Sequence, residues 1–207
     1  MNNSKAKMID AIKEWVVPPL FEVGFKGVFP HYCRQTPEVI ELIYFHFSGF
    51  DQSFCIEVAK APTTGVVYKD GLSVAPSEVT VVHCPVKLVL GAKDPAGYFW
   101  FKFNPTNHEL KLQEHVPFIK MYKDTPLKYK KISEDILMLL GTQAKRYWEE
   151  AESWWEAGIS PYYNRLFMEI HADIEAITLR KGKKDHIPGR KVAQPSGSNV
   201  IMLNRSF

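Results

Sequence analysis

Two runs of strand-forming residues, 39–47 and 54–59, are joined by the short link Ser48-Gly49-Phe50-Asp51. A link of that length closes a hairpin, so residues 39–58 read as two neighbouring antiparallel strands. In the second run Phe54, Ile56 and Val58 alternate with Cys55 and Glu57, the period-two pattern of a strand with one covered face. The first run is apolar on both sides, with Ile40, Leu42 and Tyr44 opposed to Ile43, Phe45 and Phe47. That pattern describes a central strand covered on both faces.

Other segments arrange themselves around this pair. Residues 4–17 place Met8, Ile9, Ile12, Trp15 and Val16 at helical spacing, which predicts an amphipathic helix. Pro18 and Pro19 remove two amide donors, so the helix is expected to stop or kink there, with one further turn before Gly24. Segments 25–33, 79–90 and 98–103 read as further strands. Segment 61–78 reads as a long loop with a short extended piece at 66–68, and 104–131 as irregular chain punctuated by Pro105, Pro117 and Pro126. Ser133, followed by Glu134 and Asp135, suggests the N-cap of a helix running to about Gly158, with Ile136, Leu140, Tyr147, Ala151 and Trp154 on one face. Ser160-Pro161 suggests the start of a last helix over 161–180, antiparallel to the previous one. The predicted fold class is α+β: a mainly antiparallel sheet with an N-terminal helix and a C-terminal helical pair packed on it.

The chain has 207 residues and 45% hydrophobic content, enough for one sizeable core. We expect a single domain over 1–180, with helix and sheet in 1–104 and mostly helix in 105–180, followed by a basic flexible tail over 181–207. The tail holds six Lys or Arg against one Asp, a charge of +5, which leaves −2 for residues 1–180 out of the total of +3. Attraction to nucleic acid would therefore rest on the tail alone. No apolar run of transmembrane length or signal-peptide pattern occurs, so a cytoplasmic location is expected. Cys33, Cys55 and Cys84 are an odd number at wide spacings, as reduced thiols would be.

Candidate chemistry is sparse. His46 lies on the Tyr44 side of its strand, and a lone histidine among apolar neighbours is more often a packed side chain than a base or ligand. His31/Cys33 share a strand face but supply two ligands where a structural zinc needs four, and His83 and Cys84, adjacent in a strand, would point to opposite faces. No metal, cofactor or catalytic residue is predicted. GxSxG, phosphate-loop and HExxH patterns are absent. Tyr147, Trp148, Trp154 and Trp155 would spread aromatic surface over more than one helix face. The expected partner-binding residues are Tyr44, His46, Trp148 and Trp155.

The segments LFEVGFKG from Leu20, HYCRQ, VIELIYFHFS and SFCIEVA resemble the bacterial family of domains of unknown function numbered four-three-zero-four. Gly24-Phe25-Lys26, Tyr32 with Arg34, and Phe45 to Ser48 stand at the positions of the family's pattern. Further on, CPVKLVLG from Cys84 is similar to the family's Cys-basic-Arg-Leu-Gly segment, with Val89 in place of the arginine. His46 with Phe47 takes the place of a Gln-Lys pair. The resemblance covers about residues 8–104 and implies an α+β domain with an antiparallel sheet and no assigned reaction. By analogy with bacterial families that neighbour toxin genes, it also implies a protein partner.

The leading expectation is a non-enzymatic protein-interaction module, such as an immunity protein that captures a toxin. The alternatives are a small hydrolase-like enzyme using a Cys or His of the sheet, with the 61–78 loop as a lid, and a nucleic-acid binder acting through the basic tail.

Overall fold

The computed structural model describes residues 3–68, 71–93 and 97–158. The N-terminal stretch forms α1 (Asn3–Ala11), a π-helical turn (Ile12–Val16) and α2 (Val17–Glu22). The helix does not stop at the prolines; its regular bonding is interrupted just before them by the π-helical turn, and the further turn expected before Gly24 is present as α2. Val17 N–H reaches back five residues to Ile12 O, so α2 begins afresh and Pro18 and Pro19 fall in its first turn, where missing donors leave no bond unmade. Gly24, at φ +91°, ends the helix. Its N–H donates to Phe21 O and that of Phe25 to Leu20 O, both at 3.0 Å, a Schellman pair whose flanking Leu20 and Phe25 are both buried.

The expected strand over 25–33 is a hairpin, β1 (Lys26–Val28) and β2 (His31–Gln35), turning at a cis Phe29–Pro30 peptide. The opening pair runs antiparallel as predicted, β3 (Val39–Phe47) with β4 (Ser53–Pro62) in continuous register from Val39↔Pro62 to Phe47↔Phe54, but β4 is buried on both faces rather than one. Segment 61–78 carries a small separate hairpin, β5 (Val66–Val67) with β6 (Ser73–Val74). The strand expected over 79–90 shrinks to β7 (Leu88–Val89). Thr80 N–H donates to His83 Nδ1 at 2.9 Å and closes a 3₁₀ turn at Val81–His83, and Pro85 lacks the donor a ladder needs. His83 and Cys84 therefore do not lie on a strand, and the opposite-face geometry expected of them is absent.

β8 (Trp100–Lys102) follows, and the segment expected to be irregular contributes α3 (Asn107–Lys111) and β9 (Ile119–Met121), which returns parallel to β8. Among the described residues the main sheet runs β1-β2-β3-β4-β8-β9, with β7 also on β4, and every pairing except β8–β9 is antiparallel.

The C-terminal helix begins five residues before Ser133, as α4 (Lys128–Leu139), continues through a π-helical turn (Leu140–Ala144) and ends as α5 (Lys145–Glu150). Ser133 is no cap; its hydroxyl donates to Tyr129 O at 3.0 Å inside the helix, and Ile132 carries the buried stripe one turn upstream. Trp154 and Trp155 lie beyond the helix end in a turn. The last helix predicted over 161–180, its antiparallel pairing and the tail lie outside the described residues.

Both helical segments cover one face of the sheet. Met8, Ile12, Ile132, Ile136 and Leu140 meet Ile43, Phe45, Phe54, Ile56 and Phe101 in the larger core. On the other face Ile40, Leu42, Ala59 and Ala61 are covered by Val66, Val79, Val81, Cys84 and Trp154. The molecule is thus an α+β domain with a central sheet, as the two-sided pattern of β3 predicts.

Candidate functional site

Alternation along β2 and β3 lines up His31, Tyr44 and His46 on the face away from the helices. His31 stacks on Tyr44 (centroids 4.5 Å, planes within 5°), Tyr44 on His46 (5.5 Å), and Trp100 of β8 meets His46 edge-on at 5.9 Å. Across the β3–β4 ladder Cys55 faces His46 and Glu57 faces Tyr44. Glu57 Oε2 accepts from Lys87 Nζ at 2.8 Å. Burial, reinforced by the Glu57 charge, pushes the Cys55 thiol up to about 12, and burial does the same for Cys84. Both are protonated at neutral pH and are not nucleophiles in this state. Burial lowers the pKa of His31, whose Nδ1 has no hydrogen-bond partner among the described residues.

A second feature opens on the helical side. Pro19, Leu20, Val23 and Phe25 on one wall and Leu137, Leu140, Gly141 and Trp148 on the other bound a largely apolar cleft of about 370 Å³. Arg34 and Glu41 line it as a fixed ion pair: Arg34 Nε reaches Glu41 Oε2 at 2.6 Å, Nη1 donates to Val23 O at 2.8 Å, and the guanidinium lies over the Phe25 ring at 4.8 Å. Arg34 thereby ties the C-terminal end of α2 to the sheet. Burial raises the Glu41 pKa, against the pull of Arg34. Lys145 and Glu149 add one charge of each sign to the lining. Gly141 belongs to the π-helical turn, a backbone irregularity frequent at functional sites, and a Cβ built on it would meet nothing within 4 Å. Phe21, Val23 and Met138, in the same two helical segments, are 50%, 55% and 55% exposed.

A family model for the domain of unknown function DUF4304 matches residues 16–150. The chain belongs to that family. The DUF4304 match starts later than the resemblance read from the strands and runs on through α4 and α5, so the C-terminal helix is part of the family domain rather than outside it. Both cleft walls, Pro19 to Glu149, and the His46–Cys55–Glu57 cluster fall inside the matched span. No curated protein and no solved structure matches the chain.

Of the residues expected to bind a partner, Tyr44 and His46 are brought together on the sheet. Trp148 is mostly buried, 7% exposed, packing on Phe25 and donating its indole N–H to Ala59 O at 3.0 Å, and it forms part of the cleft wall. Its position on a helix face that meets the sheet accounts for this. Trp155 is half-buried against Trp154, whose indole N–H donates to Lys60 O at 2.8 Å. Arg34 stood out in the sequence only as a position of the family's pattern, and Glu41 and Gly141 not at all, because their proximity arises from helix-on-sheet packing. Cys55 opposite His46, with Glu57 two residues along β4 on the same face, follows from the observed hairpin register, which the strand pattern alone leaves open.

Proposed function

We propose that this DUF4304 domain is a non-enzymatic protein-interaction module, and that its partner inserts apolar side chains, presented from a helix, into the cleft between α2 and α4–α5. The observation that carries this reading is the apolar lining around a geometrically fixed Arg34–Glu41 pair, half-buried at Arg34 and buried at Glu41, with Phe21, Val23 and Met138 exposed on or beside the same two helical segments. Apolar walls supply binding energy, and the ion pair supplies a fixed polar mark for orientation. In this reading the captured protein is a toxin and the domain its cytoplasmic, bacterial immunity partner, a role that requires burial of a surface and no chemistry. Against thiol catalysis by the sheet stand the raised pKa values of Cys55 and Cys84. Among the described residues no helix is long and apolar enough to cross a membrane.

The test compares two full-length baits, the native chain and Gly141→Leu, in lysate of the cells that make the protein, with retained complexes weighed by native mass spectrometry. The leucine fills open cleft space and favours helix, so the fold is expected to survive. A stoichiometric protein held by the native chain and lost by Gly141→Leu supports the proposal. A partner held equally by both, or none held by either, overturns docking in the cleft.

A further inference from the structure

On the opposite side of the sheet from the cleft, His46, Cys55 and Glu57 place an imidazole nitrogen, a thiol sulfur and a carboxylate oxygen within 4.8 Å of one another. We propose that these three side chains form a binding site for one divalent cation of the zinc type. The register brings them together: His46 pairs directly with Cys55, and Glu57 lies two residues along β4 on the same face. Bonds of about 2.0–2.3 Å to a tetrahedral ion would put ligand atoms about 3.3–3.7 Å apart, so closing the set takes side-chain movement of about 1 Å.

The surroundings suit such a site. It is built on the two longest strands, fully paired with each other, which hold ligands more precisely than a loop does. Cys55 and Glu57 are buried, and His46 is exposed at the rim with its ring held between Tyr44 and Trp100. Lys87 occupies Glu57 Oε2 and leaves Oε1 for an ion; it orients the carboxylate as the outer partners of metal ligands do. On binding, the Cys55 thiol releases its proton to solvent, so that one thiolate and one carboxylate face the ion while the Lys87 ammonium stays beside the carboxylate. A mixed sulfur, nitrogen and oxygen set disfavours calcium and magnesium, which take oxygen, and suits zinc. Three protein ligands leave a fourth position for water or a ligand oxygen, the stoichiometry of an open zinc site rather than a closed structural one.

Cobalt(II) is the probe. Titrated into the reduced full-length protein, it is expected to saturate at one equivalent with a thiolate-to-cobalt charge-transfer band that equimolar zinc bleaches. The band should vanish in Cys55→Ser and persist in Cys33→Ser. His46→Ala, at an exposed position where folding is not at stake, should weaken cobalt binding by at least about tenfold, the scale reached even by loss of outer-shell partners. Absence of the band in the native protein, its survival in Cys55→Ser, or undiminished cobalt binding by His46→Ala overturns the site. Gly141→Leu keeps the band, so failure here and failure of the cleft are separable.

Discussion

Asp135 is a buried carboxylate with three donors: Tyr122 Oη and Lys120 Nζ, each at 2.8 Å, and Lys131 Nζ at 3.3 Å. Burial opposes its ionisation, but the donors, Lys120 first, outweigh burial and hold its pKa below the ordinary carboxylate value. A depressed folded-state pKa contributes stability above the unfolded value, near pH 4, and that contribution is lost as pH falls through the folded pKa. Asp135→Asn should therefore lower the unfolding free energy by about 2 kcal/mol at pH 7, the scale of hydrogen bonds to a charged group. The gap to the native protein should narrow at pH 3, as urea unfolding at the two pH values would show; a gap that is constant with pH would remove Asp135 from the acid response. The thiols give a second residue-scale prediction. Iodoacetamide at pH 8 should label half-buried Cys33 and spare Cys55 and Cys84 in the folded protein, read by peptide mass. Early labelling of Cys55 would contradict its burial.

At the scale of elements, two glycines separate backbone strain from steric conflict. A Cβ on Gly24 meets only the Arg34 side chain, at 3.5 Å, so Gly24→Ala should cost about 1 kcal/mol through its positive φ alone. A Cβ on Gly91, also at positive φ, falls 2.4 Å from the Phe99 ring, and overpacking adds about 1–3 kcal/mol. Thermal unfolding should rank Gly91→Ala clearly below Gly24→Ala; the reverse order would mean that the Phe99 ring moves freely. Periodicity made β3, β4 and the N-terminal helix legible in the sequence, because each carries a long regular pattern of apolar side chains. The segments read wrongly are those where one local hydrogen bond outweighs periodicity. Thr80 and His83 turn the chain where Val79, Val81 and Val82 suggest a strand, and Ser133 bonds back to Tyr129 where it suggests a cap. Of the candidate features, the neighbouring of the His46 and Cys55 strands was legible in the hairpin, while their direct pairing depends on a register two residues from the one a Ser48–Asp51 link gives. The cleft was not, since its walls lie more than 100 residues apart in the chain and meet only through tertiary packing.

Across the whole molecule, one sheet separates two different surfaces. The helical side has a preformed apolar cleft with a fixed ion pair, and the other side has an aromatic row that frames three metal-type ligands. A partner seated in the cleft should leave His46, Cys55 and Glu57 untouched, so cobalt and partner should bind together without coupling, a result that cobalt titration of the complex would check. The most direct measurement of the cleft's role is calorimetric titration of the captured partner into the native chain and into Gly141→Leu at several temperatures. Docking in the cleft predicts a negative heat-capacity change for the native chain, from apolar burial, and at least about tenfold weaker binding by Gly141→Leu, which is about 1.4 kcal/mol. Equal affinity and equal heat-capacity change for the two chains would contradict it.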